Sequence, residues 1–211
     1  MKEIYRESPV TFKKIPKRTE TRDNWTIALE YEDEDKGQFL IDLSHRTRLD
    51  IQDSDFSSIE PFGIKIPDMP GMSVLENGFL INRMNRTQTS VWHLVGETPE
   101  IPDESAYTDV TESTLFLAIM GKTVFSIAEK LTSLDFLDSG KKVPFLLQGP
   151  FSHVPCQIVT LERDGETSGI IFTCSRGYGK TMVDAVMEAG AEFGLRPAGE
   201  DKFTSWVRAL E

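Results

Sequence analysis

The stretch Leu115-Phe116-Leu117-Ala118-Ile119-Met120-Gly121-Lys122-Thr123-Val124 decides the fold class. Six consecutive apolar residues suit a strand buried on both faces, and they fall far short of the ~20 residues a membrane-spanning helix requires. Gly121 stops the run. Beyond it, Val124, Ile127, Ala128, Leu131 and Leu134 fall at i, i+3, i+4, i+7 and i+10, one apolar stripe of a helix. Strand, glycine and helix in this order predict mixed secondary structure.

Downstream, Val143–Gln148, Cys156–Glu162 and Ser168–Cys174 read as strands. A second helix is expected over Met182–Phe193, with Met182, Val186, Ala189 and Phe193 facing inward and Gly194 as its stop. Upstream, Trp25, Ile27, Leu29 and Tyr31 alternate with polar residues as in a half-buried strand. The acidic run Glu30–Lys36 reads as a solvated turn, since it lacks the spacing of a calcium-binding loop. Gln38–Leu43 and Arg46–Ile51 are further strands. A short helix is expected over Asp53–Phe62, capped by Asp53 or Ser54 and ended by Pro61 and Gly63. After a loop holding Pro67, Pro70 and Gly71, Phe79–Met84 and Ser90–Val95 pair across a polar turn. Adjacent strand runs with few helices argue for α+β, with mixed or antiparallel sheets and packed helices.

Residues 1–22 carry seven basic and three acidic side chains and read as a basic N-terminal arm, with at most a strand near Val10–Ile15. The expectation for the arm is a solvated tail that neutralises the acidic body. Gly96–Ala106 has two prolines and little apolar content, so it is the expected linker between a first lobe (23–100) and a second (101–211) of one compact folding unit.

In 211 residues, 23 Lys and Arg face 34 Asp and Glu, a net charge of −11. That balance disfavours nucleic acid as a partner, because phosphates must be neutralised by basic groups. The opening MKEIYRESPV has no continuous apolar core, so no signal peptide and a cytoplasmic, reducing setting are expected. Cys156 and Cys174 are too few for a disulfide scaffold and read as inert buried thiols.

The strongest local motif is Cys174-Ser175-Arg176-Gly177-Tyr178-Gly179-Lys180-Thr181, between an expected strand and a helix. It approximates a phosphate-binding loop, but Cys174 stands where that loop needs its first glycine. Thr181 as helix cap, with Asp184 reaching back, explains the same residues. Arg176, Lys180 and Thr181 are therefore anion-binding candidates only. His45, His93 and His153 lack metal-ligand spacing, so no metal is expected. Asp42, Ser44 and His45 read as a hydrogen-bonded structural cluster, since Ser44 lacks a nucleophile elbow. No catalytic residue is assigned.

Asp42-Leu43-Ser44-His45-Arg46-Thr47-Arg48-Leu49 resembles the opening segment of the glycine-cleavage T-protein superfamily, in which Asp-Leu-Ser precedes a basic residue and an aliphatic one. Phe62-Gly63-Ile64-Lys65-Ile66-Pro67 and the Asn85–Leu94 stretch with Trp92 resemble elements of the sarcosine oxidase gamma subunit, although a Pro-Asp pair is missing from the latter. Thr108-Asp109-Val110-Thr111 before the 115–120 strand, Leu134-Asp135-Phe136 and Ala191-Glu192-Phe193-Gly194 extend the likeness over about residues 37–195. The resemblance implies a T-protein-like (GcvT-like) folate-binding fold with two pseudo-related lobes. The acidic pair of the folate chemistry would fall near Gly78–Arg83, where no aspartate stands, and the segment 161–172 gives only Arg163, Gly165 and Glu166 as an echo. What it then implies is a non-catalytic accessory subunit in amine or one-carbon metabolism that binds no cofactor itself. Its partners would be the other subunits of an oxidase or one-carbon complex, or further copies of the chain. The alternative is a tetrahydrofolate-dependent aminomethyltransferase-like protein or a folate-binding regulator.

Overall fold

The computed structural model of the protein describes residues 5–211. Its elements, in order, are β1 (Arg18–Arg22), β2 (Trp25–Glu30), β3 (Gln38–Asp42), β4 (Arg48–Gln52), β5 (Ser73–Glu76), β6 (Phe79–Arg83), β7 (Gln88–His93), β8 (Tyr107–Asp109), β9 (Thr114–Met120), α1 (Val124–Ala128), β10 (Phe145–Phe151), β11 (Val154–Glu162), β12 (Gly169–Ser175), α2 (Gly179–Gly190), β13 (Leu195–Ala198) and α3 (Glu200–Arg208). The chain is α+β. One sheet runs β10-β11-β12-β9-β3-β13, a second β5-β6-β7-β4-β8, and β1-β2 form a separate hairpin. The pairings are antiparallel apart from β13, which lies parallel to β3.

The apolar block at 115–120 is β9, inside the six-stranded sheet, and alternation sends its side chains to two different cores. Leu115, Leu117 and Ile119 join Met182, Val183 and Val186 of α2 and Val124 and Ile127 of α1 on one face. Phe116, Ala118 and Met120 pack on the other face against Leu80 and Trp92 of the five-stranded sheet and Phe203, Trp206 and Val207 of α3. The Trp92 and Phe116 rings meet edge-on at 5.2 Å, where the two sheets touch. The five-stranded sheet covers its outer face with Ile64 and Ile66 from the loop after β4.

Several expectations are corrected. The segment 53–62 is not helical. Asp53 and Asp55 each accept a backbone N–H two residues on (2.9 Å in both cases), so local side-chain turns take the place of the helix. Only Pro61–Gly63 forms a helical turn, and Phe62 there has φ 55 as it stacks on Phe79 at 4.2 Å. The first expected helix is one short stretch, α1, and Leu131 and Leu134 reach the core from the turns after it. The arm has no strand at 10–15; its strand is β1, paired with β2. The acidic turn is not wholly solvated, because Glu34 Oε1 accepts the N–H of Tyr31 at 2.6 Å and of Gly199 at 2.7 Å. The strands also cross residue 100 in both directions. β3, from the N-terminal side, pairs with β9, and β8, from the C-terminal side, pairs with β4.

Candidate functional site

β3 ends at Asp42, and the turn 43–47 carries the chain from one sheet to the other before β4 begins. That crossover places His45 and Arg46 beside the first residue of α3, Glu200. Gly199 positions Glu200, because α3 can start there only where its backbone lies against Leu29 of the hairpin. Glu200 is 2% exposed and fully engaged. His45 Nε2 lies 2.7 Å from Oε1, Arg22 reaches Oε1 at 3.2 Å and Oε2 at 3.0 Å, and Arg46 Nη2 also pairs with Oε1. Arg46 Nη1 donates to the Gly96 carbonyl at 3.0 Å.

The electrostatics follow from burial and pairing. Burial alone would raise the Glu200 carboxyl, but His45, Arg46 and Arg22 outweigh it and hold the group well below the usual carboxylate range. His45 is pushed down by burial against the pull of Glu200, so the neutral ring donates its Nε2–H to the carboxylate. His93 sits at about 4, lowered by burial and then by the charge of Arg46. Both Glu200 oxygens are committed to charged or polar partners. The cluster locks the hairpin, the crossover and α3 together, and it leaves no carboxylate free for proton transfer.

Beside His45 and beneath the arm lies a partly enclosed cavity of about 140 Å³, lined by Ser8, Phe12, Trp25, Tyr31 and Asp42 among others. Ser8 donates to Asp42 Oδ2 at 2.5 Å, and the Ser44 N–H donates to Oδ1 at 2.9 Å. Burial, then Asp42 and Glu34, push the Tyr31 phenol up to about 12. The volume is below the ~300–1,000 Å³ of typical small-molecule sites. Two clefts elsewhere reach that range. One of about 660 Å³ passes Arg22, Arg46 and Arg208; one of about 620 Å³ runs between Phe39, Met120 and Trp206.

The residues singled out from the sequence are distributed as follows. Arg176 donates to the carbonyl of Glu7 in the arm. Lys180 pairs with Asp184 at 2.6 Å along the helix surface. Thr181 lies in the first turn of α2 without capping it; Tyr178 holds the cap position, and no side-chain cap forms. The expected capping box is therefore replaced by a Lys180–Asp184 ion pair. Asp42 and Ser44 do hydrogen-bond to each other, as the cluster reading expects, but His45 turns to Glu200 instead. Glu200, Arg22 and Arg46 went unnoticed in the sequence. The available signal was Gly199-Glu200-Asp201 ahead of Phe203, Trp206 and Val207, an acidic first turn before an apolar stripe. Among the described residues no group of three or more His, Cys, Asp or Glu is arranged to hold a metal, and no helix is long and apolar enough to cross a membrane.

No family model matches this chain, and no curated protein matches it. Among solved structures its fold is similar to a chain of the heterotetrameric sarcosine oxidase from Corynebacterium sp. U-96, in complex with pyrrole 2-carboxylate. The TM-score is 0.59 at 13% identity, over 74% of this chain and 85% of that one. At that identity the likeness establishes a related fold.

Proposed function

We propose that this chain is a non-catalytic accessory subunit of an oxidase assembly in amine or one-carbon metabolism, resembling the gamma subunit of heterotetrameric sarcosine oxidase. The observation that carries the reading is the fold shared with a chain of such an assembly over most of both lengths. The saturation of Glu200 by Arg22, Arg46 and His45 supports it, since that buried carboxylate is spent on structure. An accessory subunit acts through its surface, and the 620 Å³ cleft with its apolar walls of Phe39, Met120 and Trp206 suits contact with another chain.

The test is purification of the tagged full chain from its native cells under non-denaturing conditions. A larger flavin-bearing chain should co-elute at fixed stoichiometry, with the complex well above the monomer's mass. Elution as a monomer without flavin absorption would overturn the reading. Calorimetric titration with tetrahydrofolate addresses the alternative: the accessory reading expects no heat, and saturable heat would favour a folate-dependent transferase or regulator.

A further inference from the structure

The chain has two cysteines, 18 positions apart in sequence, and the fold sets them face to face. β11 and β12 are antiparallel with Gln157 opposite Thr173, so the next step of the register puts Cys156 opposite Cys174. Both lie within their strands, where Cys156 also faces Gly149 of β10 and Cys174 faces Leu115 of β9. Both side chains belong to the same core face, at 6% and 5% exposure. Directly opposed residues of antiparallel strands have Cα atoms ~4.5–5.5 Å apart, which falls inside the ~4.4–6.8 Å span of disulfides.

We propose that Cys156 and Cys174 form a redox modification site, a cross-strand dithiol that a peroxide converts reversibly to an intramolecular disulfide. The inference does not depend on the proposed function. Burial among apolar side chains keeps large thiols away from the pair, so each sulfur has the other as its reaction partner. The thiol–thiol contact is the largest influence on both groups: it holds Cys174 below the usual thiol range and, with burial, raises Cys156. In the proposed reaction Cys174 attacks and Cys156 resolves. At the Gly149 end of the row, Leu134 packs where a side chain would otherwise stand, and Leu134 also lines a surface cleft of about 230 Å³.

The chemistry balances with hydrogen peroxide as oxidant. The Cys174 thiolate takes one peroxide oxygen, the O–O bond breaks, and hydroxide leaves to take up the thiol proton as water. Cys156 then attacks the resulting sulfenic acid. The S–S bond forms as the S–O bond breaks, and the departing hydroxide leaves as a second water with the Cys156 proton. The two thiols lose two electrons, and the peroxide gains them.

The experiment treats the folded full chain with hydrogen peroxide, quenches, denatures, alkylates with N-ethylmaleimide and measures intact mass. The expected product is a monomer two hydrogens lighter with no alkylatable thiol, and dithiothreitol should restore both thiols. Two persistent thiols, oxidation to sulfinic acid without a disulfide, or linkage between chains would each overturn the proposal. So would disulfide formation that proceeds only at the rate of global unfolding. In Cys156→Ser and Cys156→Ala the remaining Cys174 should accumulate as a dimedone-reactive sulfenic acid. Failure of both folded variants to label would sink the assignment of the attacking sulfur.

Discussion

Arg48 is fully buried, and among the described residues its guanidinium makes no ion pair with a carboxylate. It donates instead to backbone carbonyls on two separate crossovers: Leu43, Ser44 and Arg46 on one, Thr111 and Thr114 on the other. Nε adds a bond to Thr114 Oγ1 at 2.8 Å, and the group lies 5.0 Å from the centre of the Phe116 ring. Burial pulls it down to about 9, which still leaves it charged at neutral pH. Arg48→Met should cost about 3–5 kcal/mol in urea unfolding, because the carbonyls lose a donor that water cannot replace. Arg48→Lys should recover little of it, since three donors on a single nitrogen cannot cover two crossovers. The histidines set the pH response. His93 binds its proton at about 4 when folded and near 6.5 when unfolded, so between those values the unfolded chain holds more protons. Stability should therefore fall by about 2 kcal/mol from pH 7 to pH 5, and His93→Asn should flatten the drop. Glu200 works in the opposite range. Its contribution is present above the ordinary carboxylate value and is lost only as acid overtakes its depressed folded value, so it does not account for a loss at pH 5.

The hairpin and arm depend on close backbone approach. A Cβ on Gly199 would lie 2.1 Å from the Leu29 carbonyl, although its φ of −92 suits any residue, so the obstacle there is purely steric. Gly199→Ala should lower stability by about 1–3 kcal/mol by prising α3 off β2. On Gly179 a Cβ would stand 2.5 Å from the Pro9 carbonyl, so Gly179→Ala should loosen the arm alone. Faster tryptic cleavage at Lys13 and Lys14 with an unchanged core fragment is the expected readout; equal cleavage rates would show that the contact holds nothing. These contacts also explain what the sequence made legible. Trp25–Tyr31 showed its strand through strict alternation, and 115–120 through an unbroken apolar run, because burial on one face or on both writes itself into neighbouring residues. Arm docking left no such trace. It rests on a carbonyl of Pro9, a carbonyl of Glu7 taken by Arg176, and ion pairs such as Arg6–Glu112, all made with residues remote in sequence. The Glu200 cluster was hidden for the same reason, since its four members come from positions 22, 45, 46 and 200. At 53–62 Asp53, one of the two expected caps, does accept a backbone N–H, but it serves a turn and not a helix, and Ser54 donates instead.

The two large sheets exchange strands across the middle of the chain, and this governs how the protein comes apart. β3 and β4 are consecutive yet lie in different sheets, as do β8 and β9. Opening the five-stranded sheet alone would withdraw β4 and β8 and tear Arg48 from both crossovers. It would also strip Leu80 and Trp92 from the core they share with β9 and α3. The two sheets share one apolar core, so they should melt as a unit. The three tryptophans report on different regions: Trp25 on the hairpin, Trp92 on the contact between sheets, and Trp206 on α3. Urea transitions followed by tryptophan fluorescence and by far-ultraviolet circular dichroism should therefore coincide in one sigmoid. Single-tryptophan variants retaining Trp25, Trp92 or Trp206 should share its midpoint once each variant's own stability is allowed for. A Trp92 transition clearly preceding that of Trp206 would mean that the five-stranded sheet opens by itself, and the crossovers would then be flexible tethers between separable lobes.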